Sequence, residues 1–171
     1  MPKEISGERI TLKKLAIEYA EEIFKCIDSN REHLGRFLYW VDKTKTLQDE
    51  INFIKTSDIY LGKPHYPYGI FFENKFVGSI GVLNVTIEND ACEIGYWLSR
   101  GYEGRGLISD SVRILEKELF SQGFKHIELA IEPLNARSIE VAKRNKYEYK
   151  SIVNRNMHEK DIELMIFVKA R

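Results

Sequence analysis

Three glycines lie close together in Gly101-Tyr102-Glu103-Gly104-Arg105-Gly106, between a strand-like run and the start of a helix-like run. The first turn of a helix leaves backbone N–H groups without partners and carries the positive end of the helix dipole. Glycines allow that backbone to approach an anion closely, so the segment is suited to holding a phosphate group. A glycine-rich turn that binds no ligand is the alternative, and the segment alone does not decide between the two.

The glycine spacing excludes two common phosphate-binding loops. A Walker loop needs Lys and then Ser or Thr after its last glycine, whereas Leu107 and Ile108 follow Gly106 here. A dinucleotide fingerprint has the order Gly-x-Gly-x-x-Gly, but the third position after Gly106 is Ser109. The order in this chain is the reverse, Gly-x-x-Gly-x-Gly.

The hydrophobic pattern around this loop predicts a mixed α/β fold. Helices are predicted over residues 16–27, 48–59, 107–122 and 135–145, with a short helix or turn over 34–40. Strands are predicted over residues 9–15, 68–72, 76–85, 92–98, 126–131, 147–153 and 162–168. Turns at 73–75 and 88–90 would join the early strands as hairpins, which makes the sheet mixed.

The composition restricts the class of protein. The 171 residues are 43% hydrophobic, which fits one domain with a sizeable core. Lys plus Arg and Asp plus Glu number 26 each, so no overall basic charge favours nucleic acid as a partner. We expect a cytoplasmic protein without a membrane span or signal peptide, in which Cys26 and Cys92 stay reduced. The four histidines lack metal-binding spacing, so no metal is expected.

A second segment with candidate chemistry is Leu134-Asn135-Ala136-Arg137-Ser138, which follows a predicted strand and opens a predicted helix. Asn135 is a favourable N-cap and Ser138 fits the first turn, so a capping role without a ligand is one interpretation. The two roles are compatible, because a capping Asn can also bond to a bound ligand.

Together these segments resemble the GNAT acetyltransferase superfamily. The glycine loop is similar to that family's Gln/Arg-x-x-Gly-x-Gly/Ala pyrophosphate loop, with Gly101 where Gln or Arg is usual. Arg100 and Arg105 would supply charge nearby. The run Glu93-Ile94-Gly95-Tyr96-Trp97-Leu98 resembles the family's strand before the loop.

The resemblance is strongest to the branch that acetylates the N-termini of ribosomal proteins. That branch has Asn-x-x-Ser, then Lys or Arg, then Gly-Phe, and this chain retains the pattern at Asn135, Ser138, Arg144 and the aromatic Tyr147. Lys146 replaces the glycine that normally ends the helix in a left-handed conformation, and Asn145 is expected to take over that role. Residues 8–13 and 30–42 resemble the opening strand and an aromatic segment of the same branch.

The resemblance implies a GNAT-type fold, with residues 1–171 forming one domain whose mostly antiparallel mixed sheet is flanked by helices. It implies an N-acetyltransferase in which a neutral amine directly attacks acetyl-CoA in a ternary complex. The implied acceptor is the N-terminal α-amine of a protein, in particular a ribosomal protein. Two alternatives stay open: a small amine (a polyamine, amino acid or antibiotic), or a non-catalytic CoA-binding module. A homodimer is compatible with this branch.

The resemblance also implies individual residue roles. Glu93 is the candidate base for the amine proton, directly or through a water, and a strand carboxylate paired with Lys or Arg is the alternative. Ser138 is assigned as the hydrogen-bond donor to the leaving thiolate, with Tyr102 and Tyr147 as substitutes. The implied cofactor-binding residues are Trp97, Leu98, Ser99, Tyr102, Glu103, Gly104, Arg105, Gly106, Leu107, Ile108, Asn135, Ser138 and Arg144.

Three further residues precede the expected acceptor cleft. Arg36, Tyr39 and Trp40 combine aromatic rings with a cation, which suits a peptide-binding wall. The alternative is that Trp40 and Phe37 pack a short helix onto the sheet. Asp161 resembles an acid on the family's last hairpin, with a solvated turn as its alternative.

Overall fold

The structure, a computed structural model, describes residues 1–60, 62–86, 90–157 and 160–171. Its α-helices are α1 (Ala20–Asp28), α2 (Arg31–Leu34), α3 (Leu47–Thr56), α4 (Leu107–Ser121) and α5 (Ala136–Arg144). Its strands are β1 (Glu4–Ser6), β2 (Ile10–Lys14), β3 (Ile59–Tyr60), β4 (Lys63–Pro64), β5 (Tyr66–Phe72), β6 (Lys75–Thr86), β7 (Ala91–Leu98), β8 (His126–Ile131), β9 (Glu148–Met157) and β10 (Lys160–Ala170). None of the helices in these ranges has the length and apolarity that a membrane span requires.

Eight strands form one sheet in the order β1-β2-β5-β6-β7-β8-β10-β9, and β3 pairs separately with β4. Neighbouring strands of the large sheet are antiparallel except β7 and β8, which are parallel. This confirms the predicted mixed α/β class, including the hairpin turn in which Glu73 and Asn74 have φ of 50° and 62°. The turn predicted over 88–90 lies largely outside the described residues.

The differences from the sequence expectations are local. A 3-10 turn over Ile17–Tyr19 opens the helix that was expected from residue 16. Over 34–40, where a short helix or turn was expected, α2 ends at Leu34 and turns follow. The short strands β1, β3 and β4 were not predicted, because two or three residues are too few to show a period of two.

Alternating side chains of the sheet pack into two cores on opposite faces. On β5, Tyr68 and Ile70 contact the core that α4 covers, whereas Phe71 contacts the core that α1 and α3 cover. On β7, Ile94 belongs to the first core and Trp97 packs against the second. Because the two faces of β7 meet different helices, this strand lies at the centre of the molecule.

The end of α5 differs from the expectation for Asn145. Lys146 itself adopts the left-handed conformation, with φ of 61°, while Asn145 keeps a φ of −90°. The N–H of Tyr147 donates to Ala142 O at 3.0 Å and that of Lys146 to Lys143 O at 2.9 Å, as in a Schellman motif. The expectation for Asn145 was wrong, because the Schellman motif requires the positive φ at the residue after Asn145. Lys146 occupies that position and adopts the conformation although it is not a glycine.

The feature that positions the candidate site is the parting of β7 from β8. The two strands pair only at Ala91, Cys92 and Glu93 of β7, although β7 continues to Leu98 and β8 to Ile131. Beyond Glu93 the described sheet is therefore open in its middle. The glycine loop and the start of α4 follow directly from the open end of β7.

Candidate active site

The glycine loop presents backbone N–H groups that lack acceptors. Gly104 and Gly106 have φ of 75° and 77°, a left-handed conformation that favours glycine, and the space around Gly104 is open. α4 begins after Gly106 without a side-chain cap. Among the described residues, no acceptor contacts the N–H groups from Gly104 to Ser109. These groups and the helix dipole make the loop suited to an anion such as a pyrophosphate.

Asn30, at the end of α1, anchors the start of the loop. Its Oδ1 accepts from the N–H of Arg100 at 3.0 Å and from Ser99 Oγ at 3.3 Å. Its Nδ2 donates to Cys26 O at 2.8 Å, which fixes the amide plane. No local sequence pattern marks Asn30 for this role, since its partners lie 69 and 70 residues away along the chain.

Arg9 holds the other side of the loop. Its guanidinium donates to Arg105 O at 3.2 Å and forms an ion pair with Asp110 in the first turn of α4. Asp110 also pairs with Arg113. Two guanidinium groups thus balance the carboxylate of Asp110, so this residue does not oppose an incoming anion.

The side chain of Glu103 connects the loop to two helices. Its Oε1 lies 3.3 Å from His33 Nε2 of α2, and its other oxygen pairs with Arg137 of α5. Glu103 was predicted as a cofactor-binding residue. In this structure its carboxylate already has partners, so its backbone is the part that remains available.

A cavity of about 580 Å³ occupies the opening between β7 and β8 and extends under α3. Six of the site residues predicted from the sequence line this cavity: Tyr39, Trp40, Glu93, Trp97, Asn135 and Ser138. The cavity therefore brings the candidate base and the candidate thiolate donor into one space, beside the strand that leads to the loop.

Glu93 lies on β7 where the two strands part, with 9% of its surface exposed. Its Oε2 accepts from Arg155 at 2.5 Å and from Asn84 Nδ2 at 3.2 Å. Arg155 comes from the β9–β10 hairpin, whose Met157 also lines the cavity. Glu93 is thus the partner of an arginine, as its alternative role predicts, and it is a cavity residue as well.

Ser138 and Asn135 combine a helix cap with a place in the cavity. Asn135 is the N-cap of α5, and its Oδ1 accepts from the backbone N–H of Ser138 at 3.2 Å. The Tyr96 hydroxyl donates to Ser138 O at 3.4 Å and also interacts with the Ser138 side chain. Burial raises the pKa of Tyr96 to about 12. Tyr96, which was not among the predicted site residues, is therefore the tyrosine next to Ser138.

Aromatic residues line part of the cavity. The ring of Trp97 lies 5.7 Å from that of Phe76 and 6.2 Å from that of Trp40, centre to centre. The Tyr39 hydroxyl donates to Glu132 Oε1 at 3.0 Å, and burial with this bond raises the pKa of Tyr39. Trp40 therefore packs on the sheet, as its alternative role predicts, and lines the cavity as well.

Other predicted residues lie away from the cavity lining. Arg36 is exposed, 3.8 Å from Glu32, and Arg144 is exposed near the end of α5. Tyr102 packs on Phe72, and Tyr147 is a core residue whose pKa is raised by burial. In the described chain these four have no direct contact with the cavity, so any role they have requires a ligand that extends beyond it.

The remaining predicted residues lie directly before and after the glycine loop, except Asp161, which lies in the β9–β10 hairpin. Leu98 and Ile108 are partly buried against the first core, and Leu107 is fully buried there. Ser99 donates its backbone N–H to Val77 O at 2.8 Å. Asp161 is exposed and accepts from Asn156 Nδ2 at 2.8 Å, in the part of the hairpin that the structure describes.

Two buried polar residues of the cavity were missed. Glu50 on α3 is 2% exposed and His65, before β5, is 6% exposed. Burial raises the pKa of Glu50 to about 7 and lowers that of His65. The signal for Glu50 was present, since it stands four residues before Ile54 and so shares the buried face of α3. Nowhere in the described ranges do three or more His, Cys, Asp or Glu side chains group as a metal site.

Known proteins with similar sequences are acetyltransferases. The family model described as "Acetyltransferase (GNAT) domain" matches residues 9–148. The ribosomal-protein-serine acetyltransferase of Escherichia coli (strain K12) is 24% identical over 144 residues, which are 82% of this chain and 80% of that protein. YdaF of Bacillus subtilis (strain 168), a candidate ribosomal N-acetyltransferase, is 26% identical over 125 residues, or 72% of this chain. The match spans 66% of YdaF, slightly less than two thirds of its length.

Solved structures share the fold. The microcin C7 self-immunity acetyltransferase MccE, determined with acetyl-CoA and AMP, superimposes with a TM-score of 0.90 at 22% identity, covering 100% of this chain and 98% of MccE. The ribosomal L7/L12 α-N-protein acetyltransferase RimL, determined with coenzyme A, has a TM-score of 0.88 at 18% identity and covers 98% and 97%. With the family model covering most of its length, the chain belongs to the GNAT acetyltransferase family and is an acetyl-CoA-dependent acyltransferase.

Proposed function

We propose that this protein acetylates the N-terminal α-amine of a protein, in particular a ribosomal protein, by direct attack within a ternary complex. One observation carries the acetyl-transfer part of the proposal. The sheet opens beside a loop of unpaired amides, and the resulting cavity contains both Glu93 and Ser138. A protein acceptor is supported by the E. coli relative, whose name describes it as a ribosomal-protein-serine acetyltransferase.

On the donor side, the backbone from Gly104 to Ser109 is proposed to bind the pyrophosphate of acetyl-CoA. Beyond Glu93, the edge of β7 that faces β8 has no strand beside it among the described residues, so an extended pantetheine arm would find backbone partners there. Asn135 and Ser138 would face the arm from α5. We propose further that residues 1–171 form one cytoplasmic domain, and a homodimer stays a prediction.

On the acceptor side, Glu93 is proposed to take the amine proton. An α-amine has a reference pKa of about 7.7–8.0, so a part of it is already neutral near pH 7 and a modest base is enough. In the described part of the chain, Arg155 and Asn84 both bond to Oε2 of Glu93, which leaves Oε1 to accept a proton directly or through water. The Ser138 hydroxyl would then donate to the leaving thiolate.

A small cationic amine, such as a polyamine, is the second candidate acceptor. The observation that favours it is the charge of the cavity. Among the described residues it is lined by the carboxylates of Asp49, Glu50, Glu93 and Glu132 and by one cation, Lys43, while Arg155 offsets the charge of Glu93. A strongly acidic wall attracts a polycation more than a singly charged N-terminus.

A thiol-release assay with acetyl-CoA decides between these acceptors. The panel contains tetrapeptides that begin with serine or alanine, the same peptides with acetylated N-termini, and spermidine. We expect release with the free peptides alone, and mass spectrometry should place the acetyl group on the α-amine. Release with spermidine alone would replace the proposed acceptor by a small amine. Binding of acetyl-CoA without release from any amine would favour a non-catalytic module.

A further inference from the structure

We propose that Glu50 is the acceptor-recognition residue of the cavity, and that its carboxylate binds the ammonium group of the amine that is to be acetylated. The inference rests on the proposed acetyl transfer to a primary amine. It holds for a peptide or a small-molecule acceptor alike, because both enter as cations near neutral pH.

Glu50 is buried without a partner. It is 2% exposed, and its carboxylate makes no hydrogen bond or ion pair with the described residues. It nevertheless lines the cavity, and neither of its oxygens is among the polar atoms sealed inside the protein. The carboxylate therefore has its open side toward the cavity.

The local structure of α3 does not explain this carboxylate. The N-terminus of α3 is capped by Thr46 and Asp49, which form a complete capping box. Glu50 is the next residue and shares the inner face of the helix with Ile54, where an apolar side chain would be stabilising. A buried carboxylate without a partner costs free energy, and a bound cation would offset that cost.

The cavity provides room for an amine chain near Glu50. Gly81 on β6 pairs directly with Gly95 on β7, so the floor of the cavity is bare backbone at this point. A Cβ atom at Gly81 would lie 3.1 Å from His65 Nε2, and one at Gly95 would lie 3.0 Å from Leu83 Cδ1. Side chains at Gly81 and Gly95 would therefore narrow the cavity.

The other carboxylates of the cavity already have partners. Glu93 pairs with Arg155, Glu132 accepts from Tyr39, and Asp49 serves the capping box. Of the four carboxylates that the structure describes in this cavity, Glu50 is thus the one without a partner, and its charge remains available to an ammonium group.

Few other charges act on Glu50. Besides Glu50, the described titratable or charged groups that line the same cavity are Tyr39, Lys43, Asp49, His65, Glu93, Tyr96 and Glu132. From α1, which packs against α3, only Ile23 and Ile27 reach the cavity. Since burial raises the pKa of Glu50 to about 7, the carboxylate is ionised above that pH and binds a cation, whereas it is protonated below.

The test compares wild type with Glu50→Gln and with Glu32→Gln, a control whose side chain is 91% exposed on α2. Steady-state kinetics use whichever amine of the thiol-release panel is acetylated. For Glu50→Gln we expect KM for the amine to rise roughly ten- to hundredfold, as the loss of a charged hydrogen bond predicts, with KM for acetyl-CoA unchanged. In wild type, KM for the amine should rise as the pH falls from 8 to 6, and this dependence should be weaker in Glu50→Gln.

Several outcomes would overturn the inference. One is an amine KM within twofold of wild type, and another is an equal loss for both substrates, which would indicate a structural role. If Glu50→Gln does not fold, a wild-type amine KM that is constant from pH 8 to 6 overturns it. If no amine is acetylated, calorimetry at pH 8 with the serine peptide and spermidine replaces kinetics, and equal binding to wild type and variant, or no binding, overturns it. Acetylation of spermidine alone would refute the proposed acceptor while still testing Glu50.

Discussion

Arg155 on β9 pairs with Glu93 on β7, although β8 and β10 lie between their strands in the sheet. The pair forms because the β9–β10 hairpin extends past Ile131, the end of β8, and reaches the cavity. The hairpin thus contributes to the cavity lining and balances the charge of the candidate base.

Replacing Glu93 by Gln should lower kcat most at low pH. Neutral amine is scarcest there, so the rate depends most on a group that removes a proton. The measurement is the kcat profile from pH 6 to 9 with saturating substrates. Arg155→Lys, which retains a cation near Glu93, is the control and should keep the shape of the wild-type profile. An unaltered profile in Glu93→Gln would remove Glu93 as the base.

Replacing Gly104 by Val should abolish acetyl-CoA binding. Gly104 has φ of 75° in open space, so a branched side chain would strain the loop and occupy the proposed path of the pyrophosphate. Gly101→Val is the matched control, because Gly101 also faces open space but needs no positive φ. Calorimetry with acetyl-CoA measures both variants. Equal affinities in the two would contradict the loop assignment.

Replacing Ser138 by Ala should slow acetyl transfer by roughly 10–100-fold without changing stability. The cap of α5 uses the backbone N–H of Ser138, so the substitution leaves the cap in place. The measurements are single-turnover rates and the melting temperature. Ser121→Ala, on the exposed surface of α4, controls for loss of a hydroxyl. Wild-type rates in Ser138→Ala would leave Ser138 with a capping role alone.

Replacing Glu50 by Gln should make stability less dependent on pH. The folded protein raises the pKa of Glu50 to about 7, so its carboxylate destabilises the fold progressively from about pH 4.5 to 7. Relative to wild type, Glu50→Gln should gain about 2–3 kcal/mol between pH 5 and pH 8. Urea unfolding of both proteins at the two pH values measures this. A difference that is the same at pH 5 and 8 would mean that the Glu50 carboxyl titrates normally.

Replacing Lys146 by Gly should stabilise the protein by about 0.5–1 kcal/mol. Lys146 has φ of 61° at the end of α5, where glycine has no Cβ atom to strain. Lys143→Gly, inside the same helix, should instead cost about 1 kcal/mol. Urea unfolding at constant pH gives both values. A loss of stability in Lys146→Gly would show that the lysine side chain compensates for its backbone.

The features that the sequence predicted well are those encoded by the spacing of neighbouring residues. The glycine loop, the capping role of Asn135 and the central elements follow from spacing within a few residues, and the structure contains them. Glu93–Arg155 and Asn30–Arg100 join residues 62 and 70 positions apart, and no local pattern encodes such pairs. Tyr96 was missed for the same reason, since its neighbour Ser138 belongs to a distant helix.

The opening between β7 and β8 has a kinetic consequence. The cavity is lined from one side of the sheet by Asn135 and Ser138 and from the other side by α3. Two reactants that approach from opposite sides need not displace each other. Double-reciprocal plots of initial velocity should therefore intersect when the two concentrations are varied, whereas parallel lines would require a covalent acetyl-enzyme that releases the first product early.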